Sequence, residues 1–224
     1  MSIKISNYIC KPLLFIACIL APVFGFSQSS DSVGTVYSSS SLRIAYNSSL
    51  VYPGIRFGVG LPVSTTHVIQ MNKSGIQKTY LNDCFITGNL GWYHQTGFHD
   101  NFYLTAGWTI RRTKSHGFFT EFSPEMGISR TFLSSTTYNV DNAGNVEVKK
   151  YAGYYYALLS VGGGIGYDFE QTRHMPFLIF SRFNVLMMFP YNSTIYLRPA
   201  IEIGFACKPS NFLTLKVKSK SEIK

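Results

Sequence analysis

Residues able to do chemistry are few and scattered in this chain. Glu121 and Glu125 share one face of an alternating run, as a pair working in acid–base catalysis would. Four residues along a strand is roughly 13 Å, too far for both to act on one atom, so each is expected to pair with arginines. His94, His99 and Asp100 bring a base and a carboxylate close together, but no serine lies between Ser74 and Ser115 to serve as nucleophile. The remaining histidines, His67, His116 and His174, add no pair with metal-ligand spacing on one face. Gly162-Gly163-Gly164-Ile165-Gly166 has the look of a phosphate loop, yet it runs on into Tyr167-Asp168-Phe169 with no helix to hold the anion. No GxSxG, HExxH or CxxC spacing occurs. No catalytic residue, metal or cofactor is therefore expected.

The elements that hold these residues follow from composition. The 224 residues are 46% hydrophobic and 16% aromatic but only 14% charged, too apolar for disorder and consistent with one β-rich domain. The net charge of +9 is concentrated at the ends. Seven of the 20 basic residues are Lys4, Lys11, Lys208, Lys216, Lys218, Lys220 and Lys224. No basic stripe with stacking aromatics remains for nucleic acid, which is excluded as a partner. Lys4 and Lys11 precede the apolar run PLLFIACILAPVFGF, shorter than the roughly 20 residues a spanning helix needs. A signal peptide over 1–27 is expected, with Cys10 and Cys18 removed and Cys84 and Cys207 left free. A barrel domain over 28–208 and a basic tail over 209–224 complete the division.

From residue 36 onward the chain alternates with period 2. Phe102, Leu104, Ala106, Trp108 and Ile110 interleave with Tyr103, Thr105, Gly107, Thr109 and Arg111. Four more runs, near 54–63, 118–129, 157–169 and 197–205, repeat the pattern. Turn signals at 72–75, 113–117, 141–145, 170–174 and 190–193 cut the chain into hairpins. Strands are expected at 36–46, 54–71, 76–94, 102–112, 117–138, 147–169, 175–189 and 194–208. The fold class is all-β: a closed antiparallel up-and-down transmembrane β-barrel of eight strands, with ten as the alternative count.

Composition decides which face is outside. Lys is absent from 79–113 and from 151–207, so no run has the hydrated face of a soluble barrel. The polar face instead carries Gly, Ser, Thr and Asn with Arg43, Arg56, Arg111, Arg182 and Arg198 against Glu121, Glu125, Asp168 and Glu202. These nine are expected to pair in a narrow interior, leaving the apolar face to lipid. Trp92, Tyr93, Tyr151, Tyr154, Tyr155, Tyr156, Tyr191 and Tyr196 cluster near run ends, where an interfacial aromatic girdle belongs.

With its signal peptide and the segments PGIRFGVG, FYLTAGWTIRR, VGGGIGYDF and LRPAIEIGF, the chain resembles the small outer-membrane β-barrel proteins of Gram-negative bacteria, of the OmpA/OmpX type. The resemblance implies a cell outer membrane location, contact with outer-membrane lipid and the barrel-assembly machinery, and a structural or surface-interaction role without enzyme activity. Such chains end in an aromatic on the last strand, whereas here Phe205 is followed by 19 residues, with Phe212 as a second candidate. The polar hairpin near 131–150, on the side opposite the 72–75, 113–117 and 170–174 turns, is the expected binding surface for an extracellular or envelope protein partner. The alternatives are a small-solute or lipid-handling barrel, the latter using His94, His99 and Asp100 for lipid modification, and a soluble lipocalin-like barrel around an apolar ligand.

Overall fold

Each alternating run of the sequence is a strand. A computed structural model describes residues 33–49, 52–71, 77–141, 144–191, 194–209 and 214–223. The expected signal peptide, Cys10, Cys18, the 72–75 turn and Phe212 lie outside them. The protein is all-β, with strands β1 (Val33–Ser39), β2 (Ser41–Ser48), β3 (Gly54–Met71), β4 (Gln77–Gln95), β5 (His99–Lys114), β6 (Phe118–Leu133), β7 (Tyr138–Val140), β8 (Val146–Val148), β9 (Tyr155–Asp168), β10 (Phe177–Tyr191), β11 (Thr194–Cys207) and β12 (Thr214–Ile223). One helical turn, α1 (Glu170–Arg173), joins β9 to β10.

Eight strands form an antiparallel up-and-down sheet: β2, β3, β4, β5, β6, β9, β10 and β11 pair in that order. β11 pairs in turn with β2, Ile203 opposite Tyr46, so each of the eight has a hydrogen-bonded neighbour on both sides. The connections at 114–118 and 168–177 lie at one end of the sheet, the turn end. Those at 48–54, 95–99, 133–155 and 191–194 lie at the other, the loop end.

Strand boundaries differ from expectation in several places. The expected strand 36–46 is two, split at Ser40, because the C-terminal segment expected as a tail forms β12 and takes the lane beside β3 that β2 vacates. β12 runs parallel to β3 (Lys218 opposite Ser64, Ile223 opposite Ile69) and antiparallel to β1 (Ser39 opposite Thr214). Leu215 and Val217 alternate there with Lys216 and Lys218, and Val217 is buried. β6 stops at Leu133 and β9 starts at Tyr155, short of the expected 138 and 147, because Ser134-Ser135-Thr136-Thr137 lacks an apolar phase. The residues between hold the separate two-stranded β7–β8 hairpin, exposed throughout.

Burial along the strands is inverted relative to a water-soluble protein. On β5, Phe102, Leu104 and Trp108 are 47%, 55% and 56% exposed, while Tyr103, Thr105, Thr109 and Arg111 are 2% or less. β3, β9 and β11 repeat it, with Phe57, Ile165 and Ile203 outward and Arg56, Asp168 and Glu202 buried. Two apolar clusters cap the polar interior. Tyr93, Tyr103, Tyr156, Leu158, Leu186, Met188 and Ala200 pack toward the loop end, and Ala45, Phe119, Leu178, Phe180 and Ala206 toward the turn end.

Candidate functional site

The feature that most needs explanation is a set of ionised side chains packed between these clusters. Alternation sends Arg56 of β3, Arg111 of β5, Glu121 and Glu125 of β6, Arg182 of β10 and Glu202 of β11 to one side of the sheet, and all are buried. Small neighbours leave them room. A Cβ on Gly164, for example, would stand 3.2 Å from Arg182 Cβ, and one on Gly107 2.9 Å from Glu125 Cγ.

Arg182 is the hub. Its Nη2 donates to Glu121 Oε1 at 2.5 Å, and its Nη1 stands 3.6 Å from Glu125 Oε1 and 3.9 Å from Glu202 Oε2. Glu121 also accepts from Arg111 Nη2 at 2.9 Å. Arg56 bridges the other two carboxylates, donating to Glu202 Oε1 at 2.6 Å and to Glu125 Oε2. Neutral donors complete the shell: Asn47 Nδ2 to Glu202 Oε1 and Thr105 Oγ1 to Glu125 Oε2, each at 2.8 Å. Phe119 lies against the cluster, its ring centre 4.3 Å from the Arg111 guanidinium carbon. Glu121 and Glu125, expected to be separate partners, are therefore joined through Arg182, because one guanidinium fork reaches both.

Two of the nine expected network residues stand apart. Asp168, buried at the turn end, takes Lys208 Nζ at 2.6 Å and no arginine, and Lys208 also reaches Glu170 at 2.7 Å. Arg198 has no carboxylate partner; its guanidinium lies over the Tyr93 ring at 3.7 Å, and its three nitrogens have no hydrogen-bond acceptor among the described residues. Arg43 sits at the cluster's edge, 3.9 Å from Glu121.

The aromatics expected as a girdle divide by strand phase. Tyr93 and Tyr156 point inward, 3% and 8% exposed, and Tyr191 and Tyr196 stack on each other at 4.9 Å against the same interior cluster. Tyr93, Tyr156 and Tyr196 have the phase of the polar face, whereas Tyr191 has the outward phase of β10 and joins them past the register shift that follows Met188; together they cover the buried side at the loop end. Tyr151, Tyr154 and Tyr155 are exposed at the loop end, and half-buried Trp92 packs beside Phe102. Tyr52, which sequence reasoning missed, joins them and accepts from Gln95 Nε2.

His94 Nδ1 and Asp100 Oδ1 meet at 2.9 Å near the loop end, half-exposed. Among the described residues, the contact recorded for that ring is with Asp100 and none is with a serine hydroxyl. No group of three metal-ligating side chains occurs among the described residues. Cys84 and Cys207 are free. Comparison with known proteins finds no match: no family model, curated protein or solved structure matches the chain.

Proposed function

We propose that the chain is a closed eight-stranded barrel of the bacterial outer membrane, similar to the OmpA/OmpX type. In this reading it is a structural or surface-interaction protein that catalyses no reaction. The inverted burial carries the proposal. An outer face bearing Phe57, Leu104, Trp108, Ile165, Ile203 and Phe205 is an apolar belt far larger than the patches soluble monomers tolerate. Hydrocarbon is the solvent in which that face is stable. Each of the eight strands has a hydrogen-bonded neighbour on both sides along at least part of its length, in keeping with the paired edges that hydrocarbon requires. Seven of the eight are 14 to 19 residues long, beyond the roughly 9–11 needed to span, and only β2, with 8, is short.

The interior argues against the alternatives. A mid-level cavity bordered by Arg56, Asn89, Arg182 and Glu202 holds about 10 Å³, the room of a single water. A lipocalin-like reading needs an apolar interior, and this one is packed with ion pairs. The partners assigned here are outer-membrane lipid, the barrel-assembly machinery and an envelope or extracellular protein met by the β7–β8 hairpin.

Trp108 provides the test, since it and Trp92 are the only tryptophans. In a W92F variant reconstituted in vesicles, lipids brominated along the acyl chain are expected to quench Trp108 strongly, and aqueous iodide only weakly. The opposite order places Trp108 in water and removes the membrane reading.

A further inference from the structure

The outward rows of the wall are almost free of charge. Among the described residues, β2, β3, β9, β10 and β11 carry no Asp, Glu, Lys or Arg on that face. On β5 the outward row from Phe102 to Ile110 is apolar, between Asp100 and Arg112. Those two charges stand roughly 40 Å apart along the strand. At the usual barrel tilt that is a rise of about 30 Å, the thickness of a hydrocarbon core.

Arg130 on β6 breaks the pattern. It lies opposite Phe102 on one side and Tyr155 on the other, one outward position deeper than Asp100, so a cation sits just inside the apolar belt at the loop end. A long basic side chain at that depth is retained where its head reaches polar groups at the interface.

The head of Arg130 is held in one place. Its guanidinium carbon stands 4.4 Å from the centre of the Tyr155 ring and 4.8 Å from that of Phe132. Nη1 donates to Tyr155 Oη, and Nη2 donates to the Tyr151 carbonyl at 3.4 Å. Asp100, the carboxylate closest to it in the register, is bonded to His94 at 2.9 Å instead.

Those contacts leave donors over. Each Nη carries two hydrogens and spends one. Tyr155 Oη accepts from Arg130, so its own O–H is left to donate, and the residue is 67% exposed. Lys149 and Lys150, both exposed, immediately precede the Tyr151 whose carbonyl Arg130 takes. Guanidinium, phenol and ammonium groups at one rim supply positive charge and donors, and their complement is an anion with several acceptor oxygens. The outward direction of Arg130 on the wall selects a source on the lipid side.

We propose that Arg130 and Tyr155, with Lys149 and Lys150 beside them, bind the phosphate of an anionic lipid headgroup in the leaflet around the loop end. The inference rests on the membrane reading, which alone brings a headgroup to that side of β6.

The test uses the full chain in nanodiscs of phosphatidic acid and phosphatidylcholine with the same acyl chains, released into non-ionic detergent, with native mass spectrometry counting the lipids retained. Phosphatidic acid is expected to be retained several-fold over phosphatidylcholine. Arg130→Gln is expected to abolish the preference. Tyr155→Phe, which keeps the ring, and the exposed pair Lys149→Gln with Lys150→Gln are each expected to weaken it several-fold. Arg173→Gln removes the same charge from an exposed position at the turn end and is expected to leave it unchanged. Inorganic phosphate in excess is expected not to displace the lipid. A preference that is absent, that survives Arg130→Gln, that falls equally in Arg173→Gln or that inorganic phosphate removes overturns the proposal. Trp108 quenching by brominated acyl chains in the same nanodiscs separates the two readings: with the quench intact, any of those results overturns the headgroup site alone, whereas loss of the quench removes the membrane reading and the site with it.

Discussion

The guanidinium carbon of Arg198 on β11 stands over the ring of Tyr93 on β4, 3.7 Å from its centre. With no acceptor on any of its nitrogens among the described residues, the cation is held by the ring's negative face, a contact worth about 2 kcal/mol or more when desolvated. Tyr93→Phe keeps the face and is expected to be nearly neutral. Tyr93→Leu is expected to cost about 2 kcal/mol in urea unfolding from detergent or vesicles. Equal stability of the two variants contradicts the assignment. Arg198→Met leaves no carboxylate unpaired and is expected to change stability by at most about 1 kcal/mol.

Glu121 is the opposite case. It accepts from Arg111 and Arg182 and is the nearest carboxylate to Arg43, so Glu121→Gln strands several buried cations. A loss of about 3–5 kcal/mol is expected. Pairing it with Arg182→Met removes part of the stranded charge, so the double variant is expected to lose less than the two single losses added. Simple additivity in that cycle is incompatible with a coupled network.

Much of the wall was legible because period 2 is local: the phase of Phe102, Leu104, Trp108 and Ile110 is the same in sequence and structure. The inward tyrosines are less legible for a nearby reason. Tyr93 continues the phase of Asn89 and Gly91, the polar face, whereas its residue type equally suits a girdle. Asp168 has the interior phase too, yet its partner Lys208 lies beyond β11, brought near by the β9–β10 and β10–β11 registers. No local pattern encodes that meeting. The pairing of β1 with β12 joins residues near opposite ends of the chain, and only the Leu215–Lys216–Val217–Lys218 alternation hinted at a strand there.

The eight-strand circuit does not use β12. A chain ending at Lys208 is therefore expected to fold with its wall intact and to expose the Ser64–Ile69 stretch of β3 as a free edge. The readouts are circular dichroism for strand content and light scattering for edge-driven association. Loss of the β signal on truncation would make β12 part of the wall.

Among the described residues, β7 and β8 pair only with each other, and all six of their side chains are exposed. Replacing residues 136–148 with a short Gly-Ser linker is expected to leave the unfolding midpoint within about 0.5 kcal/mol of the parent while abolishing capture of any surface partner. A misfolded product would tie the hairpin to the scaffold.

Electrophoretic mobility of the membrane-extracted protein in dodecyl sulfate, with and without boiling, tests the central claim most directly. A closed lipid-facing barrel with paired edges is expected to remain in the outer-membrane fraction, resist the detergent unheated and change mobility on boiling. Recovery in the soluble fraction with a single mobility before and after heating contradicts it.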